Sequence, residues 1–345
     1  MGADSESFRK PLIEALRAVK AQRPDVQLHL LYSPELADPL ALIDDTKRET
    51  ALIRPPPLAT QVIAPQTQNL PRLITLDCLR VAKYLMETDA GLDDPLFESS
   101  ITQAHAEIVL QQRPDAGAGN DERGFSDLSI GGWLVSPESA LTLALRIHHF
   151  SQLHSAGQGR EWVRWTNPVY LSVLWPTMTL EQKQALLGEA IWLVFDVSGQ
   201  LQRYAADEAS SEHGPVPSGY DIRSLDIQQT HTVKNVPFVR DLLPRWQAMC
   251  EERGERLPND AERHLHTQLQ AAQAHGLDAD SLVICVLTAV QLKRGATQDP
   301  EWVKLVRHAG TSGLPLRDEM KRLSDEFWDR WSLFDQDEDE WNHGH

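Results

Sequence analysis

Apolar positions change their period along this chain, and each change marks the edge of an element. Leu12, Leu16 and Val19 recur at helical spacing with Ile13 beside them, which predicts a helix over 8–20. The apolar run over 28–32 predicts a first strand, and Ser33-Pro34 turns the chain into a helix over 35–48. The run Arg54-Pro55-Pro56-Pro57 breaks any helix. Beyond it the pattern predicts strands over 61–64 and 72–76, then helices over 78–86 and 97–111.

The stretch 131–204 organises the rest. Three runs rich in β-branched and aromatic residues, at 133–135, 162–165 and 191–195, alternate with helical patterns at 137–153, 168–174 and 180–188. Ser136 is the expected cap of the first helix, with Pro137 at its first position and Glu138 near its positive end. Its buried stripe is expected to be Leu143, Ile147 and Phe150, widened by Leu141 and Leu145, with Arg146, His149 and Gln152 opposite. Thr179 and Gln182 have capping-box spacing, and 196–199 reads as a tight turn. Strands alternating with helices of this length predict β-α-β units and a mixed sheet.

From 205 to 219 the chain turns small, polar and punctuated by Pro and Gly, the composition of a domain boundary. Helices are predicted beyond it over 237–252, 260–275, 278–293, 300–309 and 315–331. The run 281–292 is apolar nearly all round, which places it at the centre of a small bundle, with Gly276 and Gly295 at its ends. The expected fold class is therefore an α/β N-terminal domain followed by an all-α helical C-terminal lobe. Its expected parts are an N-terminal helix (1–26), the α/β domain (27–204), a linker (205–235), the helical lobe (236–331) and an acidic tail (332–345).

Composition narrows the function classes. A 345-residue chain is long enough for a sizeable core, and 41% hydrophobic with 24% charged residues is ordinary for a globular protein. A net charge of −17 opposes binding to nucleic acid or to an anionic membrane. Cys78, Cys250 and Cys285 are scattered and odd in number, the pattern of free thiols in a reducing cytoplasm. The first residues hold no apolar signal core, and no apolar run approaches the ~20 residues that span a membrane, so no membrane insertion is expected.

Candidate chemistry adds little. His148 and His149 are neighbours on a predicted helix and point about 100° apart, so sharing one ion is awkward, and His264 and His266 are placed no better. Metal-ligand, Walker and nucleophile-elbow spacings are missing from the sequence. The G-x-G fragments in 114–122 and at 157–159 lack the following glycine and helix. Cys285 lies in the most apolar helix, a poor place for a nucleophile. Asp196 and Asp226 could be drawn as an acid–base pair, but an acidic protein offers such pairs by chance. No catalytic residue, cofactor or metal is assigned. Arg164, Trp165, Asn167 and Pro168 read first as a strand-to-helix junction that needs its cap, and second as a partner-facing group. Among the ten tryptophans, Trp328, Trp331 and Trp341 gather near the acidic tail and are candidate interface anchors, although Trp328 and Trp331 at i, i+3 read first as packing.

The order of motifs in the central stretch resembles the adaptor/chaperone family of the type VI secretion system. That family carries a G-x-W/F-L strand, a helix with basic residues, an R-F/W-x-D-P run, and a T-P-E-Q helix closed by Gly before an aromatic strand. The matching positions are Gly132-Trp133-Leu134, Arg146, Arg164-Trp165-Thr166-Asn167-Pro168, Thr179-Leu180-Glu181-Gln182, Gly188 and Trp192. Asn167 stands where the family has Asp, and Val169 where an Arg is common. Pro71 to Leu76 fits the family's opening, and the closing lobe from Ala274 to Trp331 is similar as well. The resemblance implies a cytoplasmic, bacterial, non-enzymatic protein whose partners are a secreted effector, its cargo, and the VgrG spike protein. The alternatives are a hydrolase with an Asp/His site in a cleft between lobes, or an immunity protein that occludes a toxin.

Overall fold

The structure is a computed structural model that describes residues 3–33, 50–52, 71–76, 94–111, 128–155, 159–206, 221–293 and 295–332. Two compact units divide the chain, Met1–Val236 and Pro237–His345. The helices expected over 35–48 and 78–86, the strand over 61–64, the loop at 114–122, the acidic tail and Trp341 lie outside the described residues.

The first unit opens with α1 (Ala3–Gln22), whose Phe8, Leu12, Ile13, Leu16 and Val19 form one buried stripe. A six-stranded sheet follows, made of β1 (Gln27–Tyr32), β2 (Thr50–Leu52), β3 (Arg72–Leu76), β4 (Ile130–Ser136), β7 (Ile191–Phe195) and β8 (Leu201–Ala205), in the order β2-β3-β1-β4-β7-β8. Every pairing in it is antiparallel, which corrects the expected β-α-β units and mixed sheet. Period and length mark a strand but leave its direction open, and the long connection from β4 to β7 suits a return either way. The parallel pairing is confined to a second, small sheet, β6-β5-β9, formed by β5 (Gln152–Ser155), β6 (Gly159–Trp162) and β9 (Ser224–Leu225).

Alternation along the strands feeds two separate cores. Leu28, Leu30, Tyr32, Trp133, Val135, Leu193 and Phe195 face one core with α1 and α2 (Pro95–Gln111). Leu31, Leu134, Trp192, Val194 and Tyr204 face the other. That second core is closed by α3 (Ala140–Phe150), α4 (Pro168–Leu174) and α5 (Leu180–Leu187). Cross-strand pairs keep the division, Trp133 opposite Leu193 and Leu134 opposite Trp192.

Helix ends follow local chemistry. Ser139, not Ser136, caps α3 by accepting from Thr142 N–H at 3.3 Å, while Ser136 ends β4 and accepts from Glu138 N–H. The helix stops at Phe150 and not at 153, because Ser151 turns back with its N–H on His148 O and its hydroxyl on Ile147 O. Leu153 therefore lies in β5, and β6 precedes the strand expected over 162–165. Asn167 caps α4 through Val169 N–H at 3.0 Å with Pro168 at the first helical position, and Thr179 and Gln182 form the full capping box of α5.

A second capping box starts α6 (Ile227–Glu252): Gln229 N–H donates to Asp226 Oδ1, and Asp226 N–H donates to Gln229 Oε1. The two boxes interlock, since Gln229 Nε2 donates to Gln182 Oε1 at 2.8 Å and to Thr177 O at 2.7 Å. This corrects the expected helix start at Pro237, which lies inside α6 together with Pro244. It also corrects the far end of the expected linker, because 221–235 holds β9 and the first turns of α6, with Leu225 and Val233 buried.

The second unit contains the rest of α6 and the helices α7 (Ala261–Gln273), α8 (Ala279–Ala289), α9 (Pro300–Ser312), α10 (Leu316–Glu319) and α11 (Asp325–Trp331). On α8, Leu282, Cys285, Val286 and Ala289 are buried, and Val283, Ile284 and Leu287 are half-buried, so it presents one covered stripe instead of being enclosed on all sides. The single helix expected over 315–331 is two, since Leu323 is extended and Ser324 restarts the chain as a cap. Glu301 fixes that restart by accepting from both Ser324 N–H and Ser324 Oγ–H.

Candidate partner-binding face

The sequence-predicted residues of the central stretch fall into three packed groups. In the first, Gly132 has φ +119°, and a Cβ there would press on Leu193 O and lie 2.7 Å from Trp192 Nε1. Only glycine tolerates both the backbone and the approach. Trp192 is fully buried, and its indole N–H donates to Gly131 O at 2.9 Å. Trp133 points to the opposite core, donating to Ser100 Oγ at 3.0 Å. Gly132 and Trp192 thus serve the sheet's second face and Trp133 its first.

The second group is the junction 164–168. Asn167 does by its side-chain carbonyl what an Asp would do by its carboxylate, so the capping role survives the change. Trp165 is buried, and its Nε1 makes no hydrogen bond among the described residues. Val169 is buried beside the cap.

The third group joins helices. Arg146 pairs with Glu138 at 2.8 Å and lies against the backbone of Gly188, where any Cβ would strike the guanidinium. Gly188 has φ +57° and ends α5. It therefore allows the helix to end and the arginine to pass. His29 backs this corner, buried in the sheet, with Nδ1 bonded to Thr75 Oγ1 and Nε2 to Glu138 O.

Beside that corner lies a groove of about 520 Å³ lined by Thr142, Leu145, Arg146, His148, His149, Phe150, Ala185 and Ile222. Its existence corrects the stripe expected for α3. Leu143, Ile147 and Phe150 are buried, whereas Leu141 is 57% and Leu145 59% exposed, one helical turn apart on a single ridge. The sequence placed both leucines inside because they flank the true stripe by only one position. At the groove's end, His149 titrates below the usual histidine range, first through burial and then through the nearby charge of Arg223. Asp221 opposes that effect and accepts from Arg223 at two atoms.

Asp196 is buried, which raises its carboxyl, and it accepts from Ser198, Gln200 and Gln202 to shape the β7–β8 turn. Asp226 is the cap of α6, so the two aspartates have separate local tasks. Burial pushes the Cys285 thiol up to about 12. In the second unit, Trp331 donates to Asp299 Oδ2 at 2.8 Å and faces Gly295, while Trp328 sets its edge against Phe327. Both are half-buried packing residues. Among the described residues, no group of three His, Cys, Asp or Glu could hold a metal, and no helix is long and apolar enough to cross a membrane. Neither a protein-family model, nor a curated protein, nor a solved structure matches this chain.

Proposed function

We propose that the chain is a non-enzymatic adaptor that holds a type VI secretion effector in the cytoplasm and hands it to the VgrG spike. The observation that carries the reading is the exposed Leu141–Leu145 ridge beside an apolar groove on α3. Two adjacent exposed leucines along a groove are the kind of surface that partners cover. The motif residues of the resemblance supply support of a second kind, because most of them, Trp133 apart, serve the sheet face that carries α3. Gly188 and Arg146 join α3 to α5, Gly132 and Trp192 pack the sheet beneath, and Asn167 starts the helix that precedes α5. They act as scaffold for the face, and the face does the binding.

Co-expression with the products of neighbouring genes tests the reading. An effector should be more soluble and more abundant with the adaptor present and should co-purify with it, and spike protein should be recovered with the pair. Recovery of neither, with the adaptor itself folded, would contradict the assignment.

A further inference from the structure

We propose that the open edge of β6 pairs with β6 of a second copy of this chain, in an antiparallel register centred on Glu161. The inference is independent of the adaptor reading.

The β5–β6 hairpin fixes which backbone groups are spare. Val163 N–H donates to Ser151 O at 3.0 Å, and the two strands pair from Gln152 opposite Trp162 to Ser155 opposite Gly159. An antiparallel ladder exchanges bonds at every second pair, so Glu161 and Gly159 spend their groups on β5 as Val163 does. Arg160 and Trp162 therefore aim N–H and C=O away from β5. His154, opposite Arg160, shows the same alternation, because its N–H turns from β6 and donates to Arg223 O at 2.9 Å. Among the described residues, nothing bonds the outward groups of Arg160 or Trp162. Both side chains are exposed, Trp162 at 36%, on the sheet face opposite buried Leu153 and Ser155.

Two-fold symmetry then selects the register. In a symmetric antiparallel pair, one residue faces its own copy across the axis. With Glu161 there, Arg160 faces Trp162 of the partner subunit, and Trp162 faces the partner's Arg160. Each of these pairs exchanges two bonds, so the spare groups of β6 are all used. Centring on Arg160 would oppose two arginines, and centring on Trp162 would set Arg160 against Arg164 of the partner subunit; like charges directly opposite are destabilising. In the Glu161 register the side chains agree with the backbone, since a guanidinium lies across from an indole, twice, at the ~5.5 Å spacing that suits a cation–π contact. Glu161 meets its copy on the other face, where Lys234 Nζ stands 3.9 Å from Glu161 Oε1. The two carboxylates thus meet with an ammonium group beside each. Any strand would find the same backbone groups, but side chains that complement themselves under a two-fold rotation specify a second copy. Four residues a side bury less than ~1,200 Å², which makes the dimer weak, with a Kd of about 10–100 μM.

Sedimentation equilibrium of the full chain between about 5 and 500 μM should show monomer passing to dimer. Arg160→Glu and Trp162→Ala, both at exposed positions, should each weaken association at least 10-fold with unchanged urea midpoints. Glu161→Cys tests the register, because residues facing across the axis have Cα atoms only ~4.5 Å apart. Mild oxidation should link that variant at least 10-fold faster than Arg160→Cys or the wild type with its native cysteines. A wild type that stays monomeric at the highest concentration overturns the inference. So does a dimer indifferent to Arg160→Glu and Trp162→Ala, or equal rates of linkage for the two cysteine variants. Capture of co-expressed effector keeps the two readings apart. If effector binds wild type and is lost with Trp162→Ala while the chain alone stays monomeric, the edge takes a strand of the cargo; the dimer proposal then falls and the adaptor stands. If the dimer forms as described but no effector is captured, the dimer stands and the adaptor reading falls.

Discussion

Helices α3 and α8 are both rich in aliphatic residues, yet they use them in opposite ways. On α8, the apolar residues outside the buried stripe are Val283, Ile284 and Leu287, and each is half-covered by neighbouring chain. On α3, Leu141 and Leu145 stand more than half exposed although Leu143 and Ile147 beside them are sealed. Apolar content therefore says that a helix has something to bury, and only exposure says whether the fold has buried it. The first pattern is cohesion within a unit, and the second is the exposed surface to which the proposed function assigns a partner.

The largest effect expected from this contrast is in α8's sealed stripe. Val286→Asp places an unpaired carboxylate at a fully buried position and should cost several kcal/mol, enough to unfold the second unit in urea titration. Leu287→Asp, half-exposed, should cost about 1 kcal/mol. Equal costs at the two positions would mean that the stripe is not where the cohesion lies.

Next comes the scaffold under α3. Gly188→Ala combines strain at φ +57° with a collision against Arg146, and should destabilise by about 1–3 kcal/mol. Adding Arg146→Ala should recover the part due to collision while leaving the part due to backbone strain. A double-mutant cycle with no coupling would show that the two residues are not packed together.

A third effect belongs to the second unit alone. His266 is buried, its Nε2 has no hydrogen-bond partner among the described residues, and burial lowers its pKa from 6.5 to about 4. Because the folded form resists protonation, the unfolded chain binds more protons below pH 6.5. Stability is thus complete above that pH and falls as pH drops toward 4, by up to about 3 kcal/mol. His266→Gln should flatten the dependence over this window, and an unchanged slope would put the titration elsewhere.

Several of these features could be read from the sequence, for reasons that are local. The capping box Thr179–Gln182, the Asn167-Pro168 start of α4 and the buried run Ile191–Phe195 depend on residues within a few positions of one another. Much of what escaped depends on distant partners. β8 reads Leu-Gln-Arg-Tyr-Ala, too polar to announce a strand, and it forms because β7 offers an antiparallel edge across a tight turn. The β5–β6 hairpin was hidden because its residues continue a helical pattern until Ser151 stops it. The start of α6 was misplaced because proline marks a helix start more often than it is tolerated inside one. The groove itself was invisible for a related reason: whether Leu141 and Leu145 are covered depends on how close α5 and Ile222 approach.

The smallest stability effect is paired with the largest functional one. Leu145→Asp should change stability by no more than about 0.5 kcal/mol, since it removes an exposed side chain. The decisive measurement is co-purification of the neighbouring effector with wild type and with Leu145→Asp, alongside their urea midpoints. The account predicts equal midpoints and at least a 10-fold loss of captured effector. Equal capture by the two proteins would contradict it.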